Sequence, residues 1–372
     1  MLCMILVSCT GQKTGKENDN NDKIAIEVGE IKFPPQDVLQ LKSYYLSSSV
    51  HVDSIDYLIG YNYRLHSLDC MNLKSKSVTQ IVLPGDGPDA IVRLSGIYAQ
   101  SLDSVWISDE SERAFLIDSV GTIKRMIDLK KYLEDQEQLL INTNYAMFTS
   151  HLFYNASRHS LMFLVKHTPS NTFIVKEAFI DEVGKMATYQ LSSSKVVPDM
   201  SKGYAYINFP NVNFVGENIV YNYPVESSIY MLDIRINERK YILADSHYTS
   251  NIIEKCTTSG DYATLEKHWL ENSHFYDIMY LPKYKIYARL HADKVDFDEK
   301  KGMEKLINER DLYLMLFDEN MEKIGETKLS NCRYSPFTSW NATYGGIALF
   351  VDNVLDEKNN TDDLTIDIIS LK

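Results

Sequence analysis

The chain has 372 residues, of which 44% are hydrophobic and 24% charged, enough apolar material for one large or two ordinary folded domains. A formal charge of −13 at pH 7, without any cluster of Lys and Arg interleaved with aromatics, excludes a nucleic-acid-binding surface, because phosphate binding needs a basic stripe. The 25 Tyr, against 16 Gly and 10 Pro, favour β structure, in which aromatic side chains pack well on a pleated sheet.

The first nine residues carry the pattern of a bacterial lipoprotein signal. Leu6-Val7-Ser8-Cys9 matches a lipobox, in which two apolar residues and a small one precede the cysteine that receives the lipid. We predict residues 1–8 as the signal peptide and Cys9 as the lipidation site. The chain is then held at the bacterial cell envelope, on the periplasmic face or the cell surface of the outer membrane. No Lys or Arg precedes the apolar run, so we expect the true start codon to lie upstream.

Residues 9–22 form a predicted flexible tether, because after Cys9 they contain no apolar residue that could anchor a core. Cys70, Cys256 and Cys332 are far apart and have neither a CxxC pattern nor matching His pairs, so we predict no disulfide framework and no metal site. No later stretch approaches the ~18 apolar residues of a spanning helix. The lipid is therefore the only predicted membrane attachment.

From Ser43 onward, short strand-like runs alternate with turn signals. The clearest unit has predicted strands at 96–102, 105–107, 114–118 and 122–129, joined by short turns. Four consecutive hairpin-linked strands are the content of one β-propeller blade.

An apolar residue followed by Asp recurs in the third predicted strand of each unit. The recurring positions are Asp69, Asp118, Asp181, Asp233, Asp318 and, less cleanly, Asp367. Most of their separations lie near the roughly 40 to 50 residues of known propeller repeats. In the first five units the Asp follows a strand, so we expect its carboxylate to accept backbone N–H groups in an Asx-turn.

Two insertions, at about 246–272 and 293–311, account for the longest gap between repeats. The first contains the best helical stretch of the chain, 262–271, with Asp261 as its N-cap, and the second contains helix-forming residues at 303–307. We interpret both as decorations of a single propeller domain that spans 23–372. The repeats count to six blades, and seven is the alternative if the first insertion contains strands.

The last unit is one strand short, whereas residues 23–28 alternate apolar and polar just before the first full unit. Pairing this N-terminal strand beside the last strand would close the ring and satisfy its backbone groups. We therefore predict an all-β, six-bladed β-propeller whose last blade is closed by the N-terminal strand.

The lipobox, the tether and the Leu83-Pro-Gly-Asp-Gly-Pro88 step between the first two units resemble Bacteroidetes-type lipoproteins of unknown function with six-bladed, TolB-like propellers. The Gly-Asp-Gly-Pro turn is also similar to the Gly-x-Gly-Pro turn of NHL-type propellers. The resemblance covers nearly the whole chain and implies the fold and the compartment. It implies no activity.

Motifs of known catalytic sites are absent from the sequence, including HExxH, GxSxG, Walker and GxGxxG patterns. We therefore predict no catalytic residue, no metal and no cofactor. Acidic clusters at 293–299 and 352–363 could in principle supply the paired carboxylates of a glycosidase. Both clusters also contain or adjoin Lys and Asn, as solvated loops do.

The loops that enter the inner strands of a propeller gather around one mouth of its channel. The residues that these loops contribute are Arg93, His151, Asn211, His274 and Arg333, with Tyr145 and Tyr334 nearby. Two guanidinium groups there would form a positive focus suited to an anionic sugar or a peptide C-terminus. The alternative is that these side chains satisfy the channel's own backbone groups.

We expect a monomeric cell-envelope lipoprotein that acts as a ligand-binding or protein-interaction module for a glycan, a peptide or a partner protein. The alternative is a propeller hydrolase or lyase that acts on an extracellular carbohydrate, because propellers host both functions. A deep pocket at the mouth that holds two close carboxylates, or a His–carboxylate pair with a perturbed pKa, would favour catalysis, whereas a shallow aromatic rim would favour binding.

Overall fold

The computed structural model describes residues 25–372 except 36, 39–40, 141–147, 183, 197–203, 205–206, 257–260 and 359–361. The predicted signal peptide, Cys9, the tether and Tyr145 lie outside the described residues. Within them the chain is nearly all β.

The strands form six antiparallel sheets in the described residues. Strand β1 (Ile26–Phe33) precedes the first blade, which consists of β2 (Ser47–Val52), β3 (Ile55–Asn62), β4 (Ser67–Asn72) and β5 (Ser77–Val82). The second blade consists of β6 (Leu94–Ser101), β7 (Ser104–Asp109), β8 (Arg113–Ile117) and β9 (Ile123–Asp128). A 3-10 helix (Leu129–Tyr132) follows it. The third blade consists of β10 (Glu137–Leu140), β11 (Phe153–Asn155), β12 (Ser160–His167), β13 (Thr172–Phe179) and β14 (Met186–Gln190), with β10 and β11 both paired to β12.

The fourth blade consists of β15 (Asn211–Val215), β16 (Asn218–Asn222), β17 (Ile229–Asp233) and β18 (Glu238–Ile242). Helix α1 (Tyr262–Leu270) comes before the fifth blade, which consists of β19 (His274–Leu281), β20 (Ile286–Ala292), β21 (Leu312–Phe317) and β22 (Lys323–Lys328). Helix α2 (Met303–Asn308) lies between β20 and β21. The sixth blade contains β23 (Trp340–Ala342), β24 (Ile347–Phe350) and β25 (Leu364–Leu371), together with β1. This arrangement confirms the predicted six-bladed propeller.

The N-terminal strand closes the ring, as predicted. β1 pairs with β25 in antiparallel register over eight residues, from Ile26 opposite Leu371 to Phe33 opposite Leu364. The strand extends further along the chain than the predicted 23–28. Val28 is 47% exposed while Phe33 is fully buried. Because β1 is the outermost strand and largely faces solvent, its early apolar alternation does not mark a buried face.

An apolar core fills each of the six boundaries between blades. One cluster, for example, joins Ile59 and Leu68 of the first blade to Ile97 and Phe115 of the second. The boundary between the last and first blades is filled in the same way by residues such as Phe350, Leu364, Leu58 and Met71. Burial of one such side chain contributes about 1.5–3 kcal/mol. Packing between blades therefore holds the innermost strand of every blade around a common axis.

Three of the recurring aspartates make the predicted turns. The Asp118 carboxylate accepts the N–H groups of Val120 and Thr122. Asp233 and Asp318 make equivalent bonds to the backbone two residues further on, at Arg235 and Asn320.

The Asx-turn prediction is wrong for Asp69. This residue lies inside β4, is fully buried, and accepts hydrogen bonds from Tyr44 and Asn62. Its strand continues to Asn72 before turning, so no backbone N–H of a turn is within reach. Asp367 is likewise buried within β25.

Candidate functional site

The innermost strands of the six blades surround a central cavity of about 300 Å³. Every blade contributes to its wall, which mixes polar and aromatic side chains. The polar lining residues are Ser47, Ser48, Ser49, His151, Asn213, Asp277 and Asn341, and the aromatic ones are Tyr98, Phe153, Phe214, Tyr280 and Trp340. We call this space the channel cavity.

A His–carboxylate pair lies in the channel cavity. His151 Nε2 is 2.9 Å from Asp277 Oδ2, and the Trp340 indole N–H donates to Asp277 Oδ1 at 3.1 Å. Asp277 is buried, whereas 23% of the His151 side chain is exposed. His151 Nε2 is the donor of this bond, because an ionised carboxylate only accepts. Nδ1 has no hydrogen-bond partner among the described residues, so it is available to a molecule in the cavity.

A β-bulge brings Asp277 to this position. The pairing of β19 with β20 shifts register between Phe275 and Ile278, so one extra residue is accommodated there. A bulge bends its strand and re-aims the side chains within it. The sequence analysis missed Asp277, although a carboxylate inside the apolar run of 274–281 was a signal that could have identified it.

The channel serines hold the first and last blades together. Ser47 and Ser339 share a hydroxyl–hydroxyl hydrogen bond, and the Asn341 amide donates to Ser47 Oγ at 2.7 Å. Ser49 Oγ donates to the Ala342 carbonyl at 2.5 Å. These bonds connect β2 to β23 and its flanking loop, so the polar wall is fixed before any ligand arrives.

The aromatic side of the cavity is also pre-organised. The rings of Phe153 and Phe214 stack with centroids 5.0 Å apart, and Tyr98 meets Phe153 edge to face at 5.1 Å. Such pairs add about 0.5–1.5 kcal/mol beyond their buried area. The cavity thus combines a stacked aromatic group with hydrogen-bonding side chains in one lining.

Of the five predicted binding residues, His151 lines the channel cavity. Asn211 is buried, accepts the Thr149 N–H at 2.8 Å and donates to the Phe275 carbonyl at 2.9 Å. It therefore satisfies backbone groups, as the alternative interpretation proposed. His274 is fully buried behind the channel wall, and this burial lowers its pKa well below the ordinary value.

Arg333 does not reach the channel cavity. Its guanidinium binds both carboxylate oxygens of Asp367 on β25 and donates to Glu30 of β1 at 3.0 Å, so it lies against the two outer strands of the sixth blade. The Asp367 hydrogen bond raises the pKa of Arg333 further above its ordinary value. The neighbouring Tyr334 also donates to Asp367, at 2.8 Å.

Arg93 lies on the surface, with 65% of its side chain exposed and Glu110 at 3.5 Å. It borders a separate cleft with Tyr45, Tyr61 and Tyr63. The predicted positive focus at the channel mouth is therefore wrong in its geometry, because neither Arg lines the channel cavity and the Arg333 guanidinium is bound by Asp367 and Glu30. The ligand-binding role of His151 stays a prediction.

The two acidic clusters form no metal centre in the described part of the chain, where no group of three or more His, Cys, Asp or Glu is arranged to hold an ion. Asp352 accepts the Ser335 N–H at 3.0 Å, and burial raises the pKa of Asp352 to about 6.

No helix among the described residues is long and apolar enough to cross a membrane.

The fold and its site define the chain as a six-bladed β-propeller with a polar channel. Residues 17–328 match the family described as a domain of unknown function, DUF4221, and the chain belongs to this family. The predicted resemblance to β-propeller proteins of unknown function is thereby confirmed. No curated protein matches the chain.

Two solved structures of similar fold come from Bacteroides species. A DUF4221 family member from Bacteroides vulgatus superposes with a TM-score of 0.75 at 14% identity, over 95% of this chain and 99% of that one. A Bacteroides fragilis protein described as a "Putative exported protein" superposes with a TM-score of 0.56 at 14% identity, over 95% and 97% of the two chains. At such identities the likeness extends to the fold alone.

Proposed function

We propose that the channel cavity binds a small, neutral, hydroxyl-rich ligand, such as a mono- or disaccharide unit of a glycan, and that the protein is a binding module of the bacterial cell envelope. The observation that carries this proposal is the channel cavity itself, whose lining combines the His151–Asp277 pair with stacked aromatic rings. Its volume of about 300 Å³ lies at the lower end of small-molecule pockets. A sugar ring presents apolar and hydroxyl faces that complement such a lining.

The charge of the cavity decides against an anionic ligand. Asp277 is the only acidic side chain among the described lining residues, and no Lys or Arg is among them. A carboxylate in a concave site without a neighbouring Lys or Arg repels anions. His151 Nδ1 accepts a hydrogen bond from a ligand hydroxyl. A neutral polyol can donate this bond, whereas an ionised carboxylate group of a ligand has no hydrogen to donate.

Envelope anchoring through Cys9 is part of the same proposal. The lipobox at residues 6–9 supports it, and the relative from Bacteroides fragilis is itself described as exported. Substitution Cys9→Ala is expected to release the protein from the membrane fraction, measured by fractionation without detergent. Continued membrane association of the variant would contradict the anchor.

The His151–Asp277 pair also favours, more weakly, a hydrolase or lyase that acts on a carbohydrate, because an oriented imidazole can accept a proton. Glycoside hydrolysis commonly uses two facing carboxylates. The described lining residues supply one. We therefore prefer binding without turnover.

An array of neutral and anionic oligosaccharides and peptides, probed with the purified protein, tests the binding proposal. For a neutral sugar that binds, Asp277→Asn and His151→Ala are each expected to raise the Kd at least tenfold, about 1.4 kcal/mol. Arg93→Ala serves as the control and leaves the Kd unchanged, since Arg93 is not among the residues that line the channel cavity and its side chain is 65% exposed.

Two outcomes would contradict the proposal. One is binding confined to anionic sugars and lost in Arg93→Ala, which would restore the arginine-based site. The other is the appearance of cleaved or eliminated product by mass spectrometry after incubation of a bound oligosaccharide with the protein.

A further inference from the structure

Behind the channel wall, at the start of β19, a buried polar cluster lies between the two helices. We name His274, Tyr276 and Arg310 the inner cluster. The His274 and Tyr276 rings are 4.6 Å apart, and the Arg310 guanidinium lies 5.0 Å over the ring of Trp269, whose indole contacts His274. His274 and Tyr276 are fully buried and Arg310 is 3% exposed. The inner cluster is thus sealed from solvent.

Each member of the inner cluster has a donor without an acceptor. The Trp269 indole N–H, which can only donate, binds His274 Nδ1 at 3.3 Å. His274 Nδ1 is therefore unprotonated, and the proton of the neutral ring lies on Nε2. His274 Nε2, the Tyr276 hydroxyl and Arg310 Nη1 are all buried without a hydrogen-bond partner among the described residues. Buried polar groups are normally satisfied, so three adjoining orphan donors require an acceptor.

The charge of the inner cluster has no contacting counter-ion in the described part of the chain. Arg310 Nε and Nη2 donate to the backbone carbonyls of Asp293 and Asn272, which are neutral. Burial lowers the pKa of Arg310, and the Asp293 carboxylate, which lies beyond ion-pair distance, raises this pKa by less than burial lowers it. Asn308, close by in sequence, has an unpartnered amide oxygen, but an amide carries no charge. A buried charge without a counter-ion costs several kcal/mol, which an anion between the donors would remove.

We propose that the inner cluster holds a small inorganic anion of the size of chloride, bound by His274 Nε2–H, the Tyr276 hydroxyl and Arg310 Nη1. A water molecule would accept from the donors but would leave the positive charge uncompensated. The burial of His274, which lowers its pKa, keeps the ring neutral beside Arg310 and leaves Arg310 as the only cation of the cluster. The anion would brace β19 at the bulge that presents Asp277, since Tyr276 lies within the bulge and His274 directly before it. It is independent of any ligand in the channel cavity.

Thermal unfolding at constant ionic strength, in sodium chloride against sodium gluconate, tests the proposal because gluconate is too large for a sealed site. The melting midpoint is expected to rise by several degrees with chloride and to saturate, since an ion that binds only the folded state stabilises it. In Arg310→Met this specific increase disappears, although the variant is less stable.

Arg289→Met is the matched control. Arg289 is fully buried in the same blade and also has an unpartnered nitrogen. Burial lowers its pKa, but three carboxylates, those of Glu326, Asp245 and Glu226, oppose this lowering, whereas Arg310 has only that of Asp293. This variant is expected to keep the chloride response.

Crystals soaked in bromide are expected to show an anomalous peak within hydrogen-bond distance of Arg310 and Tyr276. This measurement decides the question on the unaltered chain even if Arg310→Met does not fold. Equal midpoints in chloride and gluconate, an unchanged chloride response in Arg310→Met, or bromide bound elsewhere would each overturn the proposal.

Discussion

Tyr44 donates a hydrogen bond of 2.5 Å to the buried carboxylate of Asp69, and so ties the loop before the first blade to that blade's third strand. Tyr334 makes the same connection to Asp367 in the sixth blade. In both blades the tyrosine precedes the inner strand and the aspartate lies on the third strand. Burial is the largest cause of the raised pKa of Tyr44, and the Asp69 carboxylate raises this pKa further. The two recurring aspartates therefore mark a repeated internal lock.

Tyr44→Phe is expected to destabilise the protein by about 1–3 kcal/mol, because it leaves Asp69 buried with one bond fewer. The measurement is the free energy of unfolding in urea. Tyr63→Phe is the control, since this tyrosine is 53% exposed. Equal stability of the two variants would show that the lock contributes nothing.

Gly60 on β3 lies flat beneath the ring of Tyr44, and a Cβ at this position would overlap the ring atoms. Gly60→Ala is therefore expected to displace the ring and cost about 1–3 kcal/mol, as over-packing does. Gly29→Ala is the matched control, because this strand glycine has no atom within 4 Å of the added carbon. Unfolding curves of the two variants compare them directly. An unperturbed Gly60→Ala would contradict the packing described.

Removal of residues 1–33 eliminates the whole of β1 and is expected to lower the melting temperature strongly. Eight paired positions of β25 lose their partner, and the core around Phe33 opens to water. Removal of 1–24 alone retains the strand and should leave the melting temperature unchanged. Similar melting temperatures for both truncated chains would refute ring closure by β1.

The lowered pKa of Glu326 predicts that the free energy of unfolding depends on pH in the acidic range. Burial raises its pKa, but hydrogen bonds from His291, the His247 N–H and Ser246 outweigh burial and bring the pKa to about 2. Because the folded pKa lies below the ordinary 4.5, the stabilisation is present above pH 4.5 and is lost as the pH falls towards 2.

Glu326→Gln should therefore be less stable than the unaltered protein at pH 7, by a few kcal/mol in order of magnitude. The difference should shrink between pH 4.5 and 2, measured by urea unfolding across that range. A difference that is constant with pH would show that Glu326 acts through shape alone.

Local chemistry made the architecture predictable. Strand alternation and turn residues located the blades, and Asp118, Asp233 and Asp318 make the turns that their positions indicated. The same Asp signal at Asp69 has a different cause, because a buried acceptor and a turn acceptor look alike in sequence. The boundaries of β1 were predicted three residues too early at the start and five at the end, since a solvent-facing edge strand needs no strict alternation of apolar and polar residues.

The candidate site was less predictable, because its geometry depends on long-range partners. His151 was identified from its place in an inner loop, but its partner Asp277 is 126 residues away and is presented by a bulge. The positions of Arg93 and Arg333 were predicted wrongly because the loop pattern indicates only at which end of a blade a side chain lies. The pattern does not indicate which carboxylate will bind that side chain.

Arg333→Ala distinguishes the structure from the arginine-based site that the sequence predicted. The variant leaves Asp367 buried and deprived of its charge partner, and breaking such a pair costs about 3–5 kcal/mol when both groups are buried. Arg333 is 23% exposed, so we expect about 2–3 kcal/mol, measured by urea unfolding. Arg93→Ala, which removes an exposed pair, should cost less than about 1 kcal/mol.

For a sugar that binds the channel cavity, Arg333→Ala should leave the Kd unchanged at temperatures where the variant is folded. A large loss of affinity without loss of stability would reverse this conclusion and place the guanidinium at the ligand.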